Sequence, residues 1–328
     1  MRSLTQTSPL WRSATTDFFR SYGAVIGMVL VLLIFYFLKP AFLSPTNIAN
    51  VLRQSSILII LALGLTVVMS MRGVDLSIAQ IADAAGLIAA MLILHRYPVW
   101  TAFVVPLVFG LAIGLVNALQ MAYLGVPAII GTLGMMFVIR SGELLATKGS
   151  EPQILFTLPR GLTAPFLYVG QGSFMGIAVP VLLAALVFAV VLVFTTTTPF
   201  ARRMRAVGSN VRAAFLAGVD IRRAFATGFV VSGLLAAIAG VLLVARTGIA
   251  MPRGAEPFLL DAFAAAYLGT LASRRGEMNI VGTLIGALFI AFLGNGLTML
   301  GLGAPYRFAF NGGFILLAMA IGALKRRN

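Results

Sequence analysis

No cysteine occurs among the 328 residues of this chain. Disulfides, zinc–thiolate sites and cysteine nucleophiles are excluded by that absence. Histidine is almost as scarce: His95 stands alone in "ILHRYPVW", a short break between apolar runs. With no second histidine to share an ion, neither a metal site nor a catalytic role is expected of it. Lysine occurs three times, as Lys39, Lys148 and Lys325, followed by Pro40, Gly149 and Arg326. None of the three completes the G-x-x-x-x-G-K-[ST] loop that cradles nucleotide phosphates. If ATP drives this protein, another chain must bind it.

Charge is also sparse. Only 10% of the residues are charged and 60% are hydrophobic, against about 25% charged in soluble domains. The sequence is filled instead by apolar runs of roughly 17–25 residues, the length that crosses the bilayer core as a helix. Ten are predicted, near 22–38, 54–70, 77–94, 99–121, 127–147, 173–195, 225–245, 258–272, 279–300 and 306–323. The expected fold class is an all-α polytopic membrane protein of about ten transmembrane helices, embedded in a lipid bilayer.

The net charge of +15 would suggest nucleic acid in a soluble protein. Here basic residues retained in cytoplasmic loops explain it, and no nucleic-acid partner is expected. An even number of spans leaves both termini on one side. Termini in the cytoplasm give fifteen basic residues inside and eight outside, the sense that membrane insertion favours. The polar segment 1–21 is then cytoplasmic. The run after it reads as a retained span, because "FLKPAFLSPTN" has no small-x-small cleavage site. Residues 22–323 form a single transmembrane domain, with 324–328 as a cytoplasmic tail. The longest outer segment, 148–172, is periplasmic in this orientation. Its three prolines and four glycines are expected to keep it irregular.

One cytoplasmic segment, 196–224, departs from its apolar flanks: "FARRMRAVGSNVRAAFLAGVDIRR". Ser209 or Asn210 can cap the first N–H groups of a short helix, and Gly218 can end it in the left-handed conformation. Ala213, Ala214 and Phe215 give that helix apolar surface, and Arg202, Arg203, Arg205, Arg212, Arg222 and Arg223 surround it. Two readings fit: a positive-inside loop resting on headgroups, or a helix that docks in a groove of a cytoplasmic partner.

A few polar residues interrupt the spans. Asp75, after Gly73 and Val74, stands where helix N–H groups stabilise a carboxylate. Asp83 and Asp261 are isolated carboxylates of the kind a proton or sodium carrier uses. Arg140 and Glu143, three residues apart, are expected to pair on one helix face. Asn117 and Asn295 are expected to make interhelical hydrogen bonds or to line a pathway. Gly110 with Gly114, and Gly282 with Gly286, form G-x-x-x-G spacings that bring helix backbones together.

Three separated segments carry a family resemblance. They are "NIANVLRQSSILIILALGLTVVMSMRGVDLSIAQ" (47–80), "RRMRAVGSNVRAAFLAGVDIRRAFATGFVVSGLLAAIAGVLLVAR" (202–246) and "GTLIGALFIAFLGNGLTMLGL" (282–302). In this order they resemble the permease subunits of bacterial ABC importers of the ribose/xylose/galactoside type. Gly73, Val74, Asp75, Leu76 and Ser77 fill one family motif. Ala206, Val207, Gly208, Asn210, Ala213, Ala214, Gly218 and Val219 fill another. Two features depart from the pattern: "LGTLASRRGEMNIVG" lacks the usual paired glycines, and Ala79 stands where a glycine is usual.

The resemblance implies a permease in the bacterial inner membrane, without catalytic residues or a cofactor of its own. ATP and Mg²⁺ would bind a separate ABC ATPase subunit, and a periplasmic sugar-binding protein would deliver a monosaccharide. A second copy of the chain, or a related permease, would complete the pathway. Arg202, Arg203, Arg205, Gly208, Ser209, Asn210, Arg212, Ala213, Ala214 and Gly218 would belong to the coupling segment. Gly73, Asp75, Ser77, Asn117, Asp261 and Asn295 are the pathway or motif candidates. A proton-coupled secondary transporter using Asp75, Asp83 or Asp261 is the alternative.

Overall fold

The structure, a computed structural model, describes residues 26–271 and 277–327. The expected N-terminal segment 1–21 and the pair Arg274–Arg275 lie outside the described residues. The long helices are α1 (Ile26–Leu38), α2 (Pro45–Met69), α3 (Ile78–Leu94), α4 (Thr101–Ala118), α5 (Ala128–Ala146), α6 (Arg160–Gln171) and α7 (Val179–Thr197). They continue with α8 (Pro199–Ser209), a short α9 (Val211–Leu216), α10 (Ile221–Thr247), α11 (Glu256–Leu271), α12 (Ile280–Met299) and α13 (Ala304–Arg327).

Each of the ten predicted apolar runs overlaps one of these helices. Among the described residues, six helices are long and apolar enough to cross a membrane: α2, α4 with its π-helical extension to Tyr123, α5, α7, α10 and α12. The protein is therefore an all-α membrane protein. α1 and α3 are apolar but shorter, and α11 and α13 carry charged residues. α2 starts at Pro45, ahead of its apolar run. Ser44 accepts a hydrogen bond from Asn47 N at 3.3 Å, and proline suits the first helical position.

α2 and α10 form the centre. α2 is buried at every residue from Ser55 to Met69, as expected of a helix that is apolar all round. α10 packs against α2, α3, α4 and α6. Its approach to α4 uses the predicted glycine spacing: a Cβ at Gly233 would come within 2.2 Å of Gly110 O, and one at Gly114 within 2.6 Å of Phe229 O. Gly282 and Gly286 play the same part between α12 and α11, meeting the carbonyls of Gly269 and Ala265. With little hydrophobic force between helices in lipid, such close van der Waals approach drives association.

Between α2 and α3 the chain turns back into the bundle. A Cβ at Gly64 would lie 3.3 Å from Ile78 Cδ1. The first residue of α3 therefore sits about 7 Å back along α2 from Met69, at 1.5 Å per residue. The non-helical stretch Gly73–Ser77 lies inside the protein, where its backbone can find partners.

Two expectations need correction. Segment 148–172 is not irregular throughout: α6 occupies Arg160–Gln171 despite Pro165 within it. Long-range burial outweighs the local breakers. Phe166 is fully buried with Leu155, and Gly170 seats on the α10 backbone, where a Cβ would meet Arg246 N at 2.1 Å. Second, Arg140 pairs not with Glu143 but with Glu256 of α11, at 3.7 Å. Spacing on one helix makes a pair possible, but the start of α11 supplies a more accessible carboxylate. Antiparallel pairing of Gln153–Ile154 with Ile249–Ala250 ties the chain after α5 to the chain after α10.

Candidate functional site

Among the described residues, polar constellations lie within the bundle and a basic feature projects from one end. The first surrounds the break before α3. Asp75 Oδ1 accepts from Ser77 N at 3.1 Å and Ser77 Oγ at 2.7 Å, while Oδ2 accepts from Ser232 Oγ of α10 at 2.7 Å. Ser77 Oγ accepts in turn from Asn117 Nδ2 of α4 at 2.9 Å. Leu76 N donates to Thr132 Oγ1 of α5 at 3.1 Å. All five side chains, Asp75, Ser77, Asn117, Thr132 and Ser232, are fully buried. Gly73 fits because a Cβ there would lie 2.8 Å from Val68 Cγ1.

This knot fastens the break to α4, α5 and α10. Asp75 is thus engaged on both oxygens and fixes the loop before α3 rather than capping the helix, whose first turn has no side-chain cap. Asn117 makes the expected interhelical bond. Thr132 and Ser232 were missed by sequence reasoning. Their signal was the one that marks Asn117: a polar residue in an otherwise apolar helix.

The second constellation lies where α2 and α13 begin and α10 and α12 end. Asp261 of α11 is not isolated: Arg307 and Asn311 of α13 both donate to it. Asn295 and Asn47 exchange reciprocal amide hydrogen bonds of 3.1 and 2.8 Å across α12 and α2. Beside them opens a cavity of about 270 Å³. Gln54, Ser55, Arg246, Asn295, Thr298 and Arg307 give it polar walls, and Phe258 an aromatic one. Of the pathway candidates, Asn295 lines this cavity and Asp261 anchors one of its arginines. Gly73, Asp75, Ser77 and Asn117 belong to the closed knot. Asp83, on α3, accepts from Ala255 N at 2.6 Å and so caps the start of α11. Each of the three aspartates has a partner, but Oδ2 of Asp83 is buried without one.

The projecting feature is the basic segment. Asn210, not Ser209, caps α9, accepting from Ala213 N at 3.0 Å. Gly218 ends it with φ +76°, the left-handed stop expected. Arg202, Arg205, Ser209, Arg212, Ala213 and Gly218 are exposed, and Arg203 is half-buried. Arg205 also donates to Thr195 O at 3.3 Å, holding α8 to the end of α7. Phe215 and Leu216 are 68% and 77% exposed. Ala214 and Gly208 face inward instead: Ala214 is buried, and a Cβ at Gly208 would meet Ser70 O at 2.1 Å.

Arg72 completes that inner contact. Its Nε donates to Gly208 O at 2.9 Å and its Nη2 to Ser209 O at 2.7 Å. The guanidinium so caps the C-terminal carbonyls of α8. Sequence reasoning counted Arg72 only as a basic loop residue. The link runs three residues from Arg72 to Asp75, joining the basic segment to the buried knot.

The fold is thus a helical membrane bundle, pinned at an internal break and presenting a capped helix at one end. The chain belongs to the permease-component family described for branched-chain amino acid transport systems, which it matches over residues 47–321. It is 36% identical to the ribose import permease of Bacillus subtilis over 304 residues, 92% of each chain. It is 33% identical to the ribose import permease of Escherichia coli K12 over 322 residues, 98% of this chain and 99% of the relative. The L-arabinose ABC transporter permease of Azospirillum brasilense is 30% identical over 304 residues, 92% of this chain and 88% of the relative. No solved structure matches the chain.

Proposed function

We propose that this chain is the membrane-spanning subunit of an ATP-driven, binding-protein-dependent importer of a monosaccharide or related small polyol. Similarity along nine-tenths of its length to ribose and arabinose permeases supports that solute class. The observation that carries the ATP-driven reading is α9: a short capped helix with Phe215 and Leu216 exposed among arginines. An exposed apolar tip of this kind suits a protein groove.

The residues form one transmembrane domain (22–323) of ten spans in the bacterial inner membrane, with both termini cytoplasmic. Segment 196–224 then faces the ATPase subunit, which binds ATP and Mg²⁺. Segment 148–172 faces the periplasm, where the sugar-binding protein docks. A second permease, identical or related, faces the first across the pathway. Movement of α9 with the ATPase passes through Gly208, Ser209 and Arg72 to the break at Asp75. Engagement of both carboxylate oxygens of Asp75 and of Asp261 in hydrogen bonds or an ion pair argues against the proton-coupled alternative at those two residues.

The test is co-expression with an ATPase and sugar-binding protein, followed by sugar-stimulated ATP hydrolysis and uptake in liposomes. Phe215→Asp should abolish copurification of the ATPase. Uptake driven by a proton gradient alone would overturn the proposal.

A further inference from the structure

We infer that the cavity beside Asn295 takes a monosaccharide bearing a negative charge, a sugar acid, in preference to a neutral sugar. This rests on the reading above that the chain moves a small polyol and that this cavity belongs to the route. The helix ends around it, the starts of α2, α11 and α13 and the ends of α10 and α12, lie on the side opposite α9. That is the side from which solute would arrive.

The chemistry of the walls favours an oxygen-rich anion. Gln54, Ser55, Asn295 and Thr298 offer amide and hydroxyl groups, and Phe258 offers an apolar face. Among the described residues, no acidic side chain lines the cavity. Of the two arginines that do, Arg307 is neutralised by Asp261. Arg246 has no carboxylate within 4.0 Å: among the described residues the arginines in ion pairs are Arg140, Arg223, Arg253 and Arg307. Its Nη1 is buried without an acceptor, as is Nε of Arg53, the nearby cation that repels it.

An unpaired guanidinium beside a polar cavity at the end of a span is costly and marks an ion or substrate path. A carboxylate is the planar partner that an arginine fork binds best. At about 270 Å³ the cavity is near the lower end of the roughly 300–1,000 Å³ seen for small-ligand sites. A single sugar ring suits it.

The experiment uses the full chain in phosphatidylcholine nanodiscs, with D-glucuronate and D-glucose, which share one pyranose ring, as probes. Binding is read by saturation-transfer NMR up to tens of millimolar. Glucuronate is expected to bind at least about tenfold more tightly than glucose, the size of one charge-assisted hydrogen bond. R246Q should bring glucuronate down to the level of glucose without moving glucose. R246K should keep most of the preference, and D261N, which frees Arg307, should strengthen glucuronate binding. Equal affinities in the unmodified chain, or no saturation by glucuronate, would overturn the inference whether or not the variants fold.

The route itself is tested separately. Because the chain has no cysteine, Thr298→Cys gives a single thiol for a membrane-impermeant reagent. Labelling from outside together with equal affinities would leave the route standing and remove the anion preference. Absence of labelling would remove the route itself.

Discussion

The knot at Asp75 and the cavity at Arg246 are both polar places in an apolar bundle, and they are built in opposite ways. Around Asp75 every carboxylate oxygen has a donor and the side chains are sealed from solvent. Around Arg246 a cation lacks an acceptor and the walls enclose open space. At the knot the carboxylate is fully engaged, and the oxygen left without a donor is the neutral Asn117 Oδ1. At the cavity the group left without a partner is a cation, which is costlier to bury and marks an ion or substrate path. Position in the bundle alone would not separate the two. The charge of the unpartnered group does.

The comparison breaks first at the knot. Asp75→Ala leaves Ser77 and Ser232 without their acceptor, each worth about 1–3 kcal/mol when buried. A loss of roughly 3 kcal/mol or more is expected, visible as a large fall in thermal unfolding temperature in detergent. A wild-type melting curve for this variant would mean the knot is not a clamp.

Next in size is the connection from α9 to the knot. Gly208→Leu forces α8 away from Ser70 O, and uptake per ATP should fall at least about tenfold while hydrolysis persists. Arg72→Ala removes two charge-assisted bonds at the exposed surface, where screening leaves each about 1 kcal/mol or less, and should lower the same ratio by a smaller factor. Simultaneous measurement of hydrolysis and uptake in proteoliposomes separates coupling from folding. Retention of the wild-type ratio in both variants would deny the link.

The smallest effect is expected at the rim of the cavity. Asn47→Ala removes one side of the amide pair with Asn295 and should cost about 1 kcal/mol. Chemical unfolding in mixed micelles would read it, and uptake should change little.

Features that depend on local pattern were legible in the sequence. Apolar runs gave the helices because span length and composition are set by the bilayer. The cap at Asn210 and the stop at Gly218 marked α9 because both act within a few residues. Asn117 and Asn295 were legible as interhelical donors, though their partners, Ser77 and Asn47, were not. Features decided by distant contacts were hidden. α6 depends on burial of Phe166 and on the seat of Gly170 against α10, so counting prolines and glycines misjudged it. Arg140 chose Glu256 because α11 begins beside α5, which spacing within α5 cannot reveal. Arg246 and Arg307 entered the sequence reading only as charges counted by side, since nothing local shows that five helices bring them to one cavity.

The seat of Gly208 on Ser70 has a mechanical consequence. With backbone against backbone there is no side chain to compress, so the joint has no slack. Torque applied at Phe215 and Leu216 would turn α8 and the end of α2 as one lever, delivering displacement to the interior rather than dissipating it in rotamer changes along the way.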